Sequence, residues 1–369
     1  MHRCISNLKR CRAGFRPPHL SYRVPCRFIA RMSTPSEILT RLPATFEDAK
    51  TTGNLFFFPS TVHTHVDEFG IPYEIRLCPA LQHKPPLPTP HFDADPEKEK
   101  TKPDPFAPPY NEKLVVGELQ GEEPQDQYVV LLNKFSVVPC HFLMVTKEFQ
   151  SQSSPLLPPE LAQTYKLLDA AYRAGQNLFA FYNCGDLSGA SQPHKHIQFL
   201  PLPSDEVGPP IERIARDVQL EQPDRPFTIS KVPYANHVYR LPADLLSRSP
   251  DHLEETLCNA FLQLLDLTVS TVRHDPDYPA GNPSYNVLLT RMHIHVIPRR
   301  FEHHELKATG ERLSVNALGA AGMLLVKSEP ELEAVKTEGL GKILRSVGLE
   351  SIHELQVQTG ASAQEADAA

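Results

Sequence analysis

The sequence predicts an α+β fold, on three observations. Short apolar runs of strand character recur along the 369 residues. Two longer stretches, residues 158–174 and 251–272, carry apolar side chains at helical spacing. Each half of the chain then reads strand, strand, helix with a histidine-bearing strand, which suggests a degenerate internal duplication.

In order along the chain, residues 35–50 form a short helix, with Ser36 capping Glu37 and Gly53 closing it before the strand Leu55–Phe58. A second strand spans Tyr73–Leu77. Lys84–Glu112 follows, where nine of 29 residues are proline. Each proline lacks an amide donor and fixes its own φ, so this segment is expected to be an irregular surface loop. Tyr128–Asn133 and Phe142–Thr146 are strands, and Leu161, Tyr165, Leu168 and Tyr172 share one face of the helix after them, which Gly175 ends. Leu178–Tyr182 and His194–Leu200 are strands around the small-residue loop Asn183–Pro193. The second long helix places Leu253, Leu257, Phe261, Leu264, Leu265, Val269 and Val272 on one face. Strands Tyr285–Thr290, Ile294–Ile297 and Met323–Lys327 and a helix from Glu329 to Arg345 complete the pattern. Four regions are expected: a basic extension (1–35), an N-terminal catalytic half (36–205), a C-terminal half (206–350) and a disordered tail (351–369).

Charge is uneven. The first 36 residues hold eight Lys and Arg and no Asp or Glu, leaving 29 basic against 44 acidic residues elsewhere, a balance of −15. An acidic body argues against broad nucleic-acid binding, which depends on neutralising phosphates. No apolar run approaches the roughly 18 residues of a membrane span. The arginine-rich start resembles a mitochondrial presequence, set against a cytoplasmic (and nuclear) protein with an extension or an internal start at Met32. Seven scattered cysteines without a Cys-x-x-Cys pair indicate neither a zinc ribbon nor a disulfide scaffold.

The chemistry concentrates in Ser188-Gly189-Ala190-Ser191-Gln192-Pro193-His194-Lys195-His196-Ile197-Gln198. Strand alternation projects His194, His196 and Gln198 from one face. The Gly/Ser loop before them brings backbone amides to an anion without obstruction. Neutral imidazole attacks phosphorus near neutral pH, and a covalent nucleotidyl-histidine divides one difficult transfer into two. His196 is the expected nucleophile, His194 the group that holds its other nitrogen or acts on the leaving group, and Gln198 a donor to a non-bridging oxygen. No third ligand near His194 and His196 supports a metal there.

The His-x-His-x-Gln pattern resembles the transferase branch of the histidine-triad superfamily. Further blocks resemble the fungal diadenosine tetraphosphate phosphorylase (ATP adenylyltransferase) family over roughly residues 36–350: Cys78–Pro85, Leu132–Phe135, Phe181–Gly185, Ser284–Thr290 and Gly322–Lys327. The resemblance implies antiparallel sheets with packed helices in two triad-like halves, and reversible phosphorolysis of diadenosine tetraphosphate to ATP and ADP. It also implies nucleotide or phosphate contacts from Lys84, Asn133, Lys134, Asn183, Gly189, Ala190, Ser191, Gln192, Ser284, Tyr285, Asn286, Arg291, Met323 and Lys327. Only nucleotides and phosphate are expected as partners of a monomer, without a cofactor for phosphorolysis, and with Mg2+ accompanying ATP in reverse. A hexose-1-phosphate uridylyltransferase is the alternative within the chemistry, weakened by the missing cysteine pairs. A non-catalytic dinucleotide sensor is the alternative outside it, weakened by the intact His196 and Gln198. One segment departs from the family: His293 stands where relatives typically carry tryptophan, and Arg291 where they carry lysine. His293 and His295 lack the Gly/Ser loop and the third polar position, so they are read as a decoy for catalysis.

Overall fold

The computed structural model describes residues 32–83, 104–247 and 249–350. The extension before Met32, the tail from Ser351 and most of the proline-rich segment, including Lys84, lie outside the described residues.

The first helix, α1 (Pro35–Thr51), begins two residues earlier than a Ser36 cap requires: Thr34 and Glu37 form a reciprocal capping box. Three strands follow: β1 (Phe56–Phe57), β2 (Thr61–Val66) and β3 (Pro72–Leu77). Beyond the proline-rich segment come β4 (Val115–Gln120), β5 (Gln127–Leu132), β6 (Phe135–Ser136) and β7 (Phe142–Thr146). Helix α2 (Pro158–Arg173) leads into β8 (Asn177–Cys184) and β9 (His196–Leu202). Helix α3 (Pro210–Asp217) and β10 (His237–Arg240) precede α4 (Pro250–Arg273). The chain continues through β11 (Ser284–Leu289), β12 (His293–Arg299), β13 (His303–Glu305), β14 (Arg312–Ser314), α5 (Ala317–Ala320), β15 (Met323–Val326), α6 (Glu329–Glu338) and α7 (Leu340–Val347). The single helix expected from Glu329 to Arg345 is thus two, broken at Gly339, whose φ of 88° leaves the helical region.

One eight-stranded sheet, ordered β10-β12-β11-β8-β9-β7-β5-β4, organises the molecule, and every adjacent pair in it is antiparallel. The two halves of the sequence join inside it, where Asn286 faces Asn183 across β11 and β8. A three-stranded sheet, β15-β3-β2, is mixed, because β15 runs parallel to β3.

Strand alternation gives the large sheet two buried faces. On one, Ile197, Phe199, Tyr182, Val287 and Val296 meet α1, α2 and α4 through Phe46, Leu161, Tyr165, Leu257 and Phe261. Burying each such large side chain contributes about 1.5–3 kcal/mol. Tyr172, expected on the buried stripe of α2, is instead 57% exposed under the Arg291 guanidinium, 3.7 Å from the ring centre. The opposite face carries Phe179, Phe181, Leu200, Leu288 and Ile297, packed against the small sheet and the C-terminal helices. His196 and Gln198 belong to this second face.

Candidate active site

His196 opens β9 and is 2% exposed. Its backbone amide donates to Gln152 Oε1 at 2.8 Å, and Gln152 Nε2 donates to the Asn183 carbonyl at 2.7 Å, so a buried carboxamide holds β9 to β8. The neighbouring Lys195 points to the helix face, where its Nζ donates to both Glu160 oxygens at 3.0 Å and to the Pro155 carbonyl at 2.8 Å. That buried ion pair anchors the strand to the first turn of α2.

Among the described residues, the imidazole of His196 hydrogen-bonds through one nitrogen. Nδ1 lies 2.8 Å from the backbone carbonyl of His194, which requires the proton on Nδ1 and leaves the Nε2 lone pair free. Burial pushes this imidazole down to about 4, against the smaller upward pull of that carbonyl. At neutral pH the ring is therefore uncharged.

His194 plays a different part from the one expected of its side chain. It lies just outside β9, and its ring turns to the Asp104 carboxylate (Nδ1 to Oδ2, 2.7 Å) and the Thr146 carbonyl (Nε2 to O, 2.7 Å). Its carbonyl, not its ring, orients the His196 imidazole. Asp104 comes from the end of the proline-rich segment, together with Phe106, whose ring centre sits 4.9 Å from that of His196. Phe106 packs beside Val129, Leu131, Leu143 and Val145, so the described end of this segment is irregular yet covers His196.

Gln198 is oriented by a chain of hydrogen bonds with a fixed direction. The Phe135 amide donates to Asn133 Oδ1 at 3.0 Å, so the Asn133 amide group must donate from Nδ2, 3.1 Å from His141 Nδ1. His141 therefore carries its proton on Nε2 and donates to Gln198 Oε1 at 3.1 Å. Gln198 Nε2 remains free to donate on the face it shares with His196. Burial pushes His141 down to about 4, with the Gln198 bond pulling the other way. Sequence reasoning did not single out His141. The signal available was its place one residue before β7, whose Val145 and Leu143 face His196 and Gln198.

The remaining expected contacts divide. Asn183 Oδ1 accepts from Asn286 Nδ2 and from the Ala317 amide, both at 2.9 Å, and Asn286 Nδ2 also donates to the Ser188 carbonyl. Arg299, 1% exposed, donates to Asn286 Oδ1 at 2.6 Å. Asn183 and Asn286 thus tie the Gly/Ser loop to the second half. Ser284 Oγ accepts from the Leu187 amide in the same loop. Gly189 has a φ of 78°, and a Cβ there would fall 2.8 Å from the Val315 carbonyl, so the loop's approach to the second half requires glycine. Ala190 and Gln192 are half-buried and Ser191 exposed along it. Lys134 is exposed beside the Phe135 ring. Tyr285 is buried on the helix face, opposite to His196. Arg291 is held by Asp169 at 3.2 Å and stacks on Tyr172, also on the helix side. Met323 is buried at the start of β15 in the small sheet, and Lys327 is exposed just beyond β15. Tyr285 and Arg291 are the two expected ligands whose side chains the fold directs elsewhere.

A strand-borne imidazole with one nitrogen tied to a backbone carbonyl, beside an oriented carboxamide and a Gly/Ser loop, defines a nucleotidyltransferase of the histidine-triad-like class. The comparisons specify it further. The Ap4A phosphorylase N-terminal domain matches residues 29–217, and the ATP adenylyltransferase C-terminal domain matches residues 230–350. Diadenosine 5',5'''-P1,P4-tetraphosphate phosphorylase 2 of Saccharomyces cerevisiae is 33% identical over 277 residues, covering 71% of this chain and 78% of that protein. Protein APA1 of the same yeast is 31% identical over 331 residues, covering 86% and 96%. The crystal structure of yeast Ap4A phosphorylase Apa2 in complex with Ap4A superposes with a TM-score of 0.67 at 27% identity, over 87% of this chain and 99% of that one. The chain belongs to the Ap4A phosphorylase (ATP adenylyltransferase) family of enzymes.

Proposed function

We propose that this enzyme cleaves diadenosine tetraphosphate with inorganic phosphate, giving ATP and ADP, through an adenylyl group carried on His196. Nε2 attacks the phosphorus nearest one adenosine, and the bond to the bridging oxygen breaks to release ATP. The departing polyphosphate is already a stable anion and needs no proton. Positive charge developing on the imidazole is balanced by the His194 carbonyl at Nδ1. Gln198 Nε2 donates to a non-bridging oxygen as charge builds there. Phosphate then attacks the adenylyl-histidine, ADP leaves, and His196 is regenerated. The same steps run backwards from ATP and ADP.

The observation that supports this reading best is the fixed hydrogen-bond direction from the Phe135 amide to Gln198, which leaves a donor beside a neutral, unprotonated Nε2. A carboxamide also cannot exchange a proton with water as a histidine would, which favours phosphate over water in the second step. Accordingly, Gln198→His should raise the ratio of hydrolysis to phosphorolysis. The loop Gly189–Gln192, with Lys84, Lys134, Met323 and Lys327, is proposed to meet the nucleotides. We propose a cytoplasmic monomer whose reaction uses no cofactor, with Mg2+ entering on ATP in reverse.

The test is turnover of diadenosine tetraphosphate with phosphate, combined with trapping of a labelled adenylyl group. Equal ATP and ADP, label at His196, and at least about a 10⁴-fold loss in His196→Ala are expected. Label on another residue, or an active His196→Ala, refutes the mechanism.

A further inference from the structure

The second histidine pair has no role in the chemistry above, yet it is among the most enclosed groups in the protein. His293 and His295 alternate onto the same sheet face as His196 and Gln198. Helix α3 lays Glu212 across them, with Oε1 2.9 Å from His293 Nδ1 and Oε2 2.8 Å from His295 Nε2. Exposure of the three side chains is 0–1%. Their potential ligand atoms all lie within 4.8 Å of one another.

We infer that Glu212, His293 and His295 form a structural binding site for a first-row divalent transition ion, zinc by donor chemistry. Two imidazole nitrogens and both oxygens of one carboxylate supply four donors, which suits zinc; calcium and magnesium favour all-oxygen shells. The present separations are those of hydrogen bonds. Zinc bonds of about 2.0–2.1 Å require donors roughly 3.3 Å apart, so the rings need retreat by only about half an ångström. His295 Nε2 now donates to Glu212 Oε2, so ion binding at Nε2 moves the ring proton to Nδ1, which is buried and has no partner among the described residues. His293 must change tautomer: its Nε2 now accepts from Arg240 Nε at 3.0 Å, and ion binding at Nδ1 moves the ring proton there and releases that bond. Arg240 stays held by the Ala215 and Val218 carbonyls through Nη2.

The position argues for a structural ion. His295 faces Leu288, Leu288 faces Phe181 and Phe181 faces Gln198, so the site shares a cross-strand row with Gln198. Three strand spacings separate them, about 14 Å. The ion would staple α3, in the segment linking β9 to β10, onto the sheet.

The full chain is stripped with chelator, reloaded with zinc, passed over a desalting column and assayed for metal by mass spectrometry. About one zinc per chain is expected in the wild type and in His196→Ala, with a higher thermal midpoint than the stripped protein. Glu212→Gln and His295→Gln should lose both the ion and the shift. Cobalt(II) loading should produce visible ligand-field bands without thiolate charge transfer, a readout that needs no variant to fold. Folded wild type that retains no zinc, retention by Glu212→Gln and His295→Gln equal to wild type, or a cobalt spectrum with thiolate bands overturns the inference. None of these readouts depends on which nucleotide the enzyme cleaves.

Discussion

Replacing His141 with leucine removes the donor to Gln198 Oε1 while leaving Gln198 and His196 in place. A neutral hydrogen bond contributes about 0.5–1.5 kcal/mol net, a factor of about 2–13 in population. If that bond holds the Gln198 amide group toward the phosphoryl oxygen, kcat should fall about 3–10-fold. Gln198→Ala removes the donor itself and should cost about 10²–10³-fold, as for other preorganised donors to developing charge. The double variant should be no slower than Gln198→Ala alone, a coupling of about 1 kcal/mol in a double-mutant cycle. The assay is ATP release from diadenosine tetraphosphate at saturating phosphate. His141 is buried, and its loss leaves Asn133 Nδ2 unpaired, so about 1–3 kcal/mol of stability should be lost too. Rates must therefore be taken well below each variant's melting temperature. Independent, multiplicative effects of the two substitutions would refute the orienting role.

Three further outcomes follow from the same geometry. Burial holds His141, His196 and His237 each down to about 4, below the roughly 6.5 of an unfolded imidazole. The unfolded chain takes up these protons first as pH falls. Stability contributed by each should be constant above about pH 6.5 and fall by about 1.4 kcal/mol per pH unit toward pH 4; urea unfolding with a flat profile over that window would contradict it. Lys195→Met strands the buried Glu160 carboxylate and should cost about 3–5 kcal/mol, with much of it recovered in Lys195→Met/Glu160→Gln; a loss under about 1 kcal/mol in denaturant melts would rule out a tightly coupled pair. Phe106→Ala uncovers His196, so diethyl pyrocarbonate should modify it several-fold faster, read by peptide mass spectrometry; an unchanged rate would mean that Phe106 does not shield it.

What was legible in the sequence was what depends on neighbours along the chain. Strand periodicity placed Gln198 with His196, and helical spacing located α2 and α4, because both patterns are local consequences of backbone geometry. Composition identified the Gly/Ser loop and the proline-rich segment. Local periodicity says nothing about partners far away in sequence, and there the expectations were altered. Asp104 reaches His194 across 90 positions and Gln198 meets His141 across 57. Tyr285 sits in a family-like block and Arg291 just beyond it, but alternation in β11 and the pull of Asp169 turn them to the helix side. The sequence by itself placed His196 and Gln198 on one strand face and pointed to nucleotidyl transfer, since that pairing follows from residue types two apart on one strand. Only the tertiary structure decided which atom of His194 orients His196, which way the Gln198 amide points, and that Glu212 lies between His293 and His295. Hydrogen-bond direction and burial are properties of groups brought together by packing, and no spacing along the chain encodes them.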